Sequence, residues 1–176
     1  MHDVYHARQI TCMARNIYWE SKNEPDEGQY LVAHVTRARA LDDRPYWGGR
    51  EICKVVHHRR TIVHFDPKTK KKKVWTVAEF SWTLLPQSRL VVTDEKAWQK
   101  AQKIAREVYR GKHTIAEDLG PVRYYMNPDK VDVCKTIAWF SDRLMFVRKV
   151  GLHDAYREQT TQEKRDLKGH KSGICA

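Results

Sequence analysis

Apolar residues early in the chain recur with helical period. Ile10, Met13, Ala14, Ile17 and Tyr18 fall at i, i+3, i+4, i+7 and i+8, which predicts a helix from about Val4 to Trp19. Continued, that face runs into Glu20 and Ser21, so a carboxylate stands at the border of an apolar stripe, where it costs free energy unless it is solvated or used. The stretch SKNEP then breaks the pattern, and Pro25 suits the first position of a second helix with Asp26 and Glu27 in its first turn. Leu31, Val32, Val35 and Ala38 give that helix its buried side, and PYWGGR at 45–50 reads as a loop.

The pattern then changes period. TIVHF and VWTV are β-branched and aromatic runs separated by DPKT and by Lys70 to Lys73, which predicts a β-hairpin with a basic tip. A third helix is expected after Thr93 as N-cap, with Trp98, Ala101, Ile104, Ala105 and Val108 inward and Gly111 closing it. GPVRYYMNP reads as a loop or short strand with exposed aromatics, and KTIAWFSDRLMFVRKVG as a short helix plus an extended segment. From Glu158 the chain is polar, basic and aperiodic, the signature of a disordered tail. The expected architecture is α+β and mainly helical, one domain over 1–157 followed by a tail over 158–176.

Composition narrows the function classes. The chain has 176 residues, enough for one real core, and 41% hydrophobic residues with six Trp and eight Tyr exclude disorder throughout. No apolar run reaches the roughly 20 residues of a membrane span, and MHDVYHARQI carries no secretory signal pattern. A net charge of +11 favours an anionic partner: nucleic acid, a membrane surface or an acidic envelope polymer. No nucleic-acid recognition motif accompanies the charge. Cys12, Cys53, Cys134 and Cys175 lack CxxC spacing, and His57 and His58 are adjacent, so neither a zinc site nor any other cofactor is expected. Reduced thiols are the default, with a Cys12–Cys53 bridge as the alternative for an oxidising destination.

Five segments resemble one family. CMARNIYWESKNEPDEGQ is similar to the opening motif of SleB-type cell wall hydrolases, with Cys12, Ala14, Asn16, Tyr18, Glu20, Glu24, Pro25, Glu27, Gly28 and Gln29 in place. EICKVVHH, EFSWT, VRYYMNP and VGLHDAYR resemble later segments in the same order, so the likeness covers roughly residues 10 to 157. Departures are Ser21-Lys22-Asn23 after the glutamate, Glu79 for a usual Gln, and Arg123 and Tyr125 where the family carries histidines.

The resemblance implies a lysozyme-like fold with a small hairpin flanking the cleft. It also implies cleavage of peptidoglycan glycan strands between N-acetylmuramic acid and N-acetylglucosamine. Glu20, backed by Ile17, Tyr18 and Trp19, is then the expected general acid, its pKa raised by partial desolvation. The catalytic acid of hen-type lysozyme, a glutamate in an apolar pocket, follows the same physics. A lytic transglycosylase needs that one carboxylate; a hydrolytic muramidase needs a second, for which Glu79 and Asp66 are the candidates. Ser81, Trp82, Thr83, Tyr124 and Tyr125 are candidate substrate contacts, each also readable as ordinary packing. Glu24 is a weaker candidate, expected to cap the helix at Pro25. The implied setting is a monomeric phage endolysin, made in the cytoplasm and released to the wall through a holin, its basic surface drawn to anionic polymers or membrane. The rival from another class is a basic nucleic-acid-binding protein.

Overall fold

The structure, a computed structural model, describes residues 2–131 and 143–167. Four helices carry most of it: α1 (His2–Ser21), α2 (Asp26–Asp42), α3 (Ile52–Val56) and α4 (Glu95–Tyr109). Between α3 and α4 stands the hairpin β1 (Arg59–Phe65) and β2 (Lys72–Ala78), antiparallel, with Val63 facing Val74 and Ile62 facing Trp75. Strands β3 (Tyr124–Met126), β4 (Leu144–Val150) and β5 (His153–Glu158) form a separate antiparallel sheet in the order β3-β5-β4. Among the described residues no helix is long and apolar enough to cross a membrane.

The predicted faces do the packing. Met13, Ala14, Ile17 and Tyr18 of α1 are fully buried against Val32 and Ala33 of α2, Val55 and Val56 of α3, and Ile104, Ala105 and Val108 of α4. α2 is apolar on two sides, because Leu31 and Val35 turn away from the helices to meet Leu119, Val122, Val150 and Ala155. That makes α2 a central helix between a helical layer and the three-stranded sheet. Ala38, expected inside, is only partly buried, and Ala33 takes the inner position.

Local chemistry differs from expectation in three places. Asp94, not Thr93, caps α4: its Oδ1 accepts from the Ala97 N–H at 2.9 Å, while the Thr93 N–H reaches the Tyr18 hydroxyl at 3.3 Å. Cys12 and Cys53 are joined as a disulfide, tying α1 to α3 across 41 residues. Chain beyond Glu158 continues into a short helix, α5 (Thr161–Asp166), where the sequence suggested a tail. Its start is a capping box, with the Glu163 N–H on Thr160 Oγ1 and the Thr160 N–H on Glu163 Oε2, and Arg157 pairs with Glu163 at 2.6 Å. Cys134 and Cys175, the first part of KTIAWFSDRLMFVRKVG and the end of the expected tail lie outside the described residues.

Candidate active site

Glu20 occupies the last turn of α1, one residue before Ser21 turns its hydroxyl back to the Ile17 carbonyl at 2.9 Å. The chain then reverses tightly, with the Glu24 N–H on the Ser21 carbonyl at 2.8 Å, and enters α2. Glu20 is partly buried, and desolvation pushes its carboxyl up to about 7. Three groups act in the other direction: a hydrogen bond donated by the Tyr125 hydroxyl to Oε2 at 3.3 Å, and the charges of Arg39 and Lys130. The balance leaves an acid that still holds its proton in an appreciable fraction of molecules near neutral pH.

Tyr125 comes from β3, so the partner of Glu20 is supplied by the three-stranded sheet and not by the hairpin. Its ring packs edge-on against His153 at 4.8 Å. His153 is buried, and desolvation lowers its pKa although Glu24 lies 3.6 Å away, so it is held neutral. Glu24 does not cap α2. Its Oε2 accepts the Leu152 N–H at 2.7 Å, and the neighbouring Glu27 Oε1 accepts the Gly151 N–H at 3.1 Å. These two carboxylates seat the β4–β5 turn on the start of α2. The approach is close enough to exclude side chains: a Cβ on Gly28 would lie 2.8 Å from Glu24 Oε2, and one on Gly151, at φ +62°, 2.9 Å from the same atom.

Other motif residues build this corner. Gln29 donates to the Glu24 carbonyl at 2.9 Å. Asn16 accepts from Trp82 Nε1 at 2.9 Å and donates to Thr36 Oγ1 at 3.0 Å, a buried network with its polar atoms paired. Trp82 is therefore a core residue, 6% exposed, stacked on Trp19. Thr83 is buried too, its hydroxyl on the Phe80 carbonyl and its own carbonyl taken by Arg59. Ser81 starts a 3-10 turn, exposed, and makes no side-chain hydrogen bond among the described residues.

The two carboxylates considered as partners for Glu20 sit at opposite ends of the hairpin, about 23 Å apart along seven residues of strand. Asp66 is at the tip, its carboxylate closing the turn through the Lys68 and Thr69 N–H groups and the Thr69 hydroxyl. Glu79 is at the base, its N–H on the His58 carbonyl. It is buried between two guanidiniums, Arg39 at 3.4 Å and Arg60 at 3.0 Å. Tyr124, beside Tyr125 but on the opposite face of β3, is half-buried over the Arg39 guanidinium with its hydroxyl 3.3 Å from Glu158.

Arg39, in the basic stretch that ends α2, was not singled out by the sequence. It is 6% exposed, donates through Nε to the Arg123 carbonyl at 2.8 Å, and lies over the rings of Trp47, Phe80 and Tyr124. A buried cation on three aromatic faces, paired to Glu79 and felt at Glu20, sets the electrostatics of the corner. Among the described residues no group of three His, Cys, Asp or Glu is placed to hold a metal ion.

The cell wall hydrolase family matches residues 23–156. The chain belongs to the cell wall hydrolase family. It is an enzyme of peptidoglycan degradation, and the mixed helix-and-sheet architecture agrees with the expected α+β class. The match opens three residues after Glu20, so the α1 half of the corner lies before it, while Glu24, Gly28, Glu79, Tyr125 and His153 lie within it. Searches of curated proteins and of solved structures returned no match.

Proposed function

We propose that this cell wall hydrolase cleaves the glycan strand between N-acetylmuramic acid and N-acetylglucosamine as a lytic transglycosylase, with Glu20 as its acid and base. The observation that carries the reading is the Glu20 carboxyl, desolvated, raised to about 7 and held by a tyrosine hydroxyl. The Glu20 carboxyl donates its proton to the glycosidic oxygen as the C1–O bond breaks, and the N-acetylglucosamine hydroxyl leaves. The resulting carboxylate takes the proton of the muramoyl C6 hydroxyl while that oxygen bonds to C1. A 1,6-anhydro ring closes, no water is consumed, and Glu20 is protonated again. Commitment of Glu79 to two guanidiniums and of Asp66 to its turn favours this one-carboxylate route over hydrolysis, which needs a second free carboxylate near the first.

We read the fold as lysozyme-like, with Tyr125 beside the reacting bond and the enzyme acting as a phage endolysin on the wall after holin-dependent release. Mass spectrometry of purified peptidoglycan digested by the protein tests the reaction. Anhydro-muramoyl ends are expected. Reducing muramoyl ends would overturn the transglycosylase route in favour of a muramidase, and release of peptide stems alone would overturn the glycan assignment.

A further inference from the structure

α1 has a second functional-looking face that Glu20 does not use. Arg8, Cys12 and Arg15 follow at i, i+4 and i+7, one stripe along the helix with about 10 Å between the two arginines. Together with Lys54, His57 and Arg59 they line a broad groove of about 1100 Å³. The Cys12–Cys53 disulfide fixes α1 to α3 at its floor, so these cations are held together instead of being free to spread.

The charge there is uncompensated. Arg8 and Arg15 are exposed and form no ion pair among the described residues. Glu51 also lines the groove, but Lys54 occupies it at 2.5 Å. Desolvation and then the charges of Arg15, Arg59 and Arg8 hold the His57 imidazole below its ordinary pKa, so three guanidinium fields overlap at one ring. His58 Nε2, in the same lining, is buried with no hydrogen-bond partner among the described residues. Guanidiniums gathered without a carboxylate of their own are stabilised by an anion, and their forks match phosphate oxygens.

We propose that this groove binds a phosphodiester-linked polymer of the bacterial envelope, holding the enzyme near its peptidoglycan. Arginines two helical turns apart suit successive phosphates of a strand better than one phosphate. No Trp, Tyr or Phe lines the groove to stack nucleobases, and no large exposed apolar side chain lines it to enter a bilayer. The envelope setting rests on the peptidoglycan reading above; the phosphate site does not.

Calorimetric titration of the full chain with poly(glycerol phosphate) at low salt tests the site. The variant R8Q/R15Q should bind at least about tenfold more weakly, while K71Q/K73Q at the hairpin, with the same loss of charge, changes affinity less than about threefold. Equal weakening by both pairs, or no binding by the wild type, would overturn the proposal. So would tighter binding of a single-stranded oligonucleotide or of anionic phospholipid vesicles through the same arginines. If R8Q/R15Q does not fold, Arg15→Gln alone is read the same way, with about threefold as the threshold. R8Q/R15Q should cleave polymer-free peptidoglycan at the wild-type rate, so a failed groove leaves the assignment of Glu20 standing.

Discussion

The hairpin β1–β2 and the sheet β3-β5-β4 are both short and antiparallel, yet they serve the corner around Glu20 differently. The hairpin is exposed on nearly all of its length and reaches the site only at its base, through Glu79. The sheet is packed on α2 and delivers Tyr125 to Glu20, His153 behind Tyr125, and a turn locked to Glu24. The hairpin base is thus structural support, and the sheet tunes the acid. A side chain's distance from the reacting group in sequence says little; what matters is which element is anchored to the helix that carries it.

That division can be broken by substitution. The largest stability effect is expected at the hairpin base, where E79Q leaves the buried Arg39 guanidinium without its countercharge and costs about 3 kcal/mol in chemical denaturation. Activity per folded molecule should stay within about tenfold; a folded E79Q without activity would make Glu79 part of the chemistry and end the comparison.

Next, E24A removes the buried carboxylate that holds the sheet's turn and lies beside His153, and should lower stability by about 2 kcal/mol. Of similar size is a pH-linked effect at Glu20 itself. Its folded pKa lies above the ordinary 4.5, so ionisation destabilises the fold: the penalty is absent below about pH 4.5, grows up to about 7, and is complete above it. E20Q should therefore match the wild type in thermal stability at pH 4 and exceed it by about 2–3 kcal/mol at pH 8. Equal stability at both pH values would mean that Glu20 is not desolvated.

A smaller, sharper effect belongs to Tyr125. Its hydrogen bond favours ionised Glu20, so Y125F should raise the Glu20 pKa further and move the alkaline fall of activity, expected near pH 7 in the wild type, to higher pH. A limb that stays in place would detach Tyr125 from the acid. The smallest effect is expected at the hairpin tip, where replacing Lys70 to Lys73 by serine should change stability by no more than about 0.5 kcal/mol and leave cleavage of purified peptidoglycan unaltered.

Much of this layout was legible from periodicity. The inner faces of α1, α2 and α4 and the hairpin all follow from runs of local pattern, and Glu20 was marked by its place at the end of one of them. The three-stranded sheet was legible only in part: a short strand around Tyr125 and an extended segment before Gly151 were expected, but the pairing of Tyr125 with Ala155 joins segments far apart in sequence and leaves no local mark. Glu24 looked like a cap because local rules prefer local partners, whereas its partner is 128 residues away. Arg39 was missed for the same reason: burial by three rings and an ion pair to Glu79 leave no mark on its neighbours in sequence. α5 did have a signal, the Thr160-x-x-Glu163 box, outweighed by the polar composition around it.

Cleavage of purified peptidoglycan by E20Q beside the wild type, with both shown to be folded, decides whether Glu20 is the acid. A loss of about 10²–10⁴-fold is expected, the contribution of a general acid–base group. Cleavage by E20Q within about threefold of the wild type would contradict it.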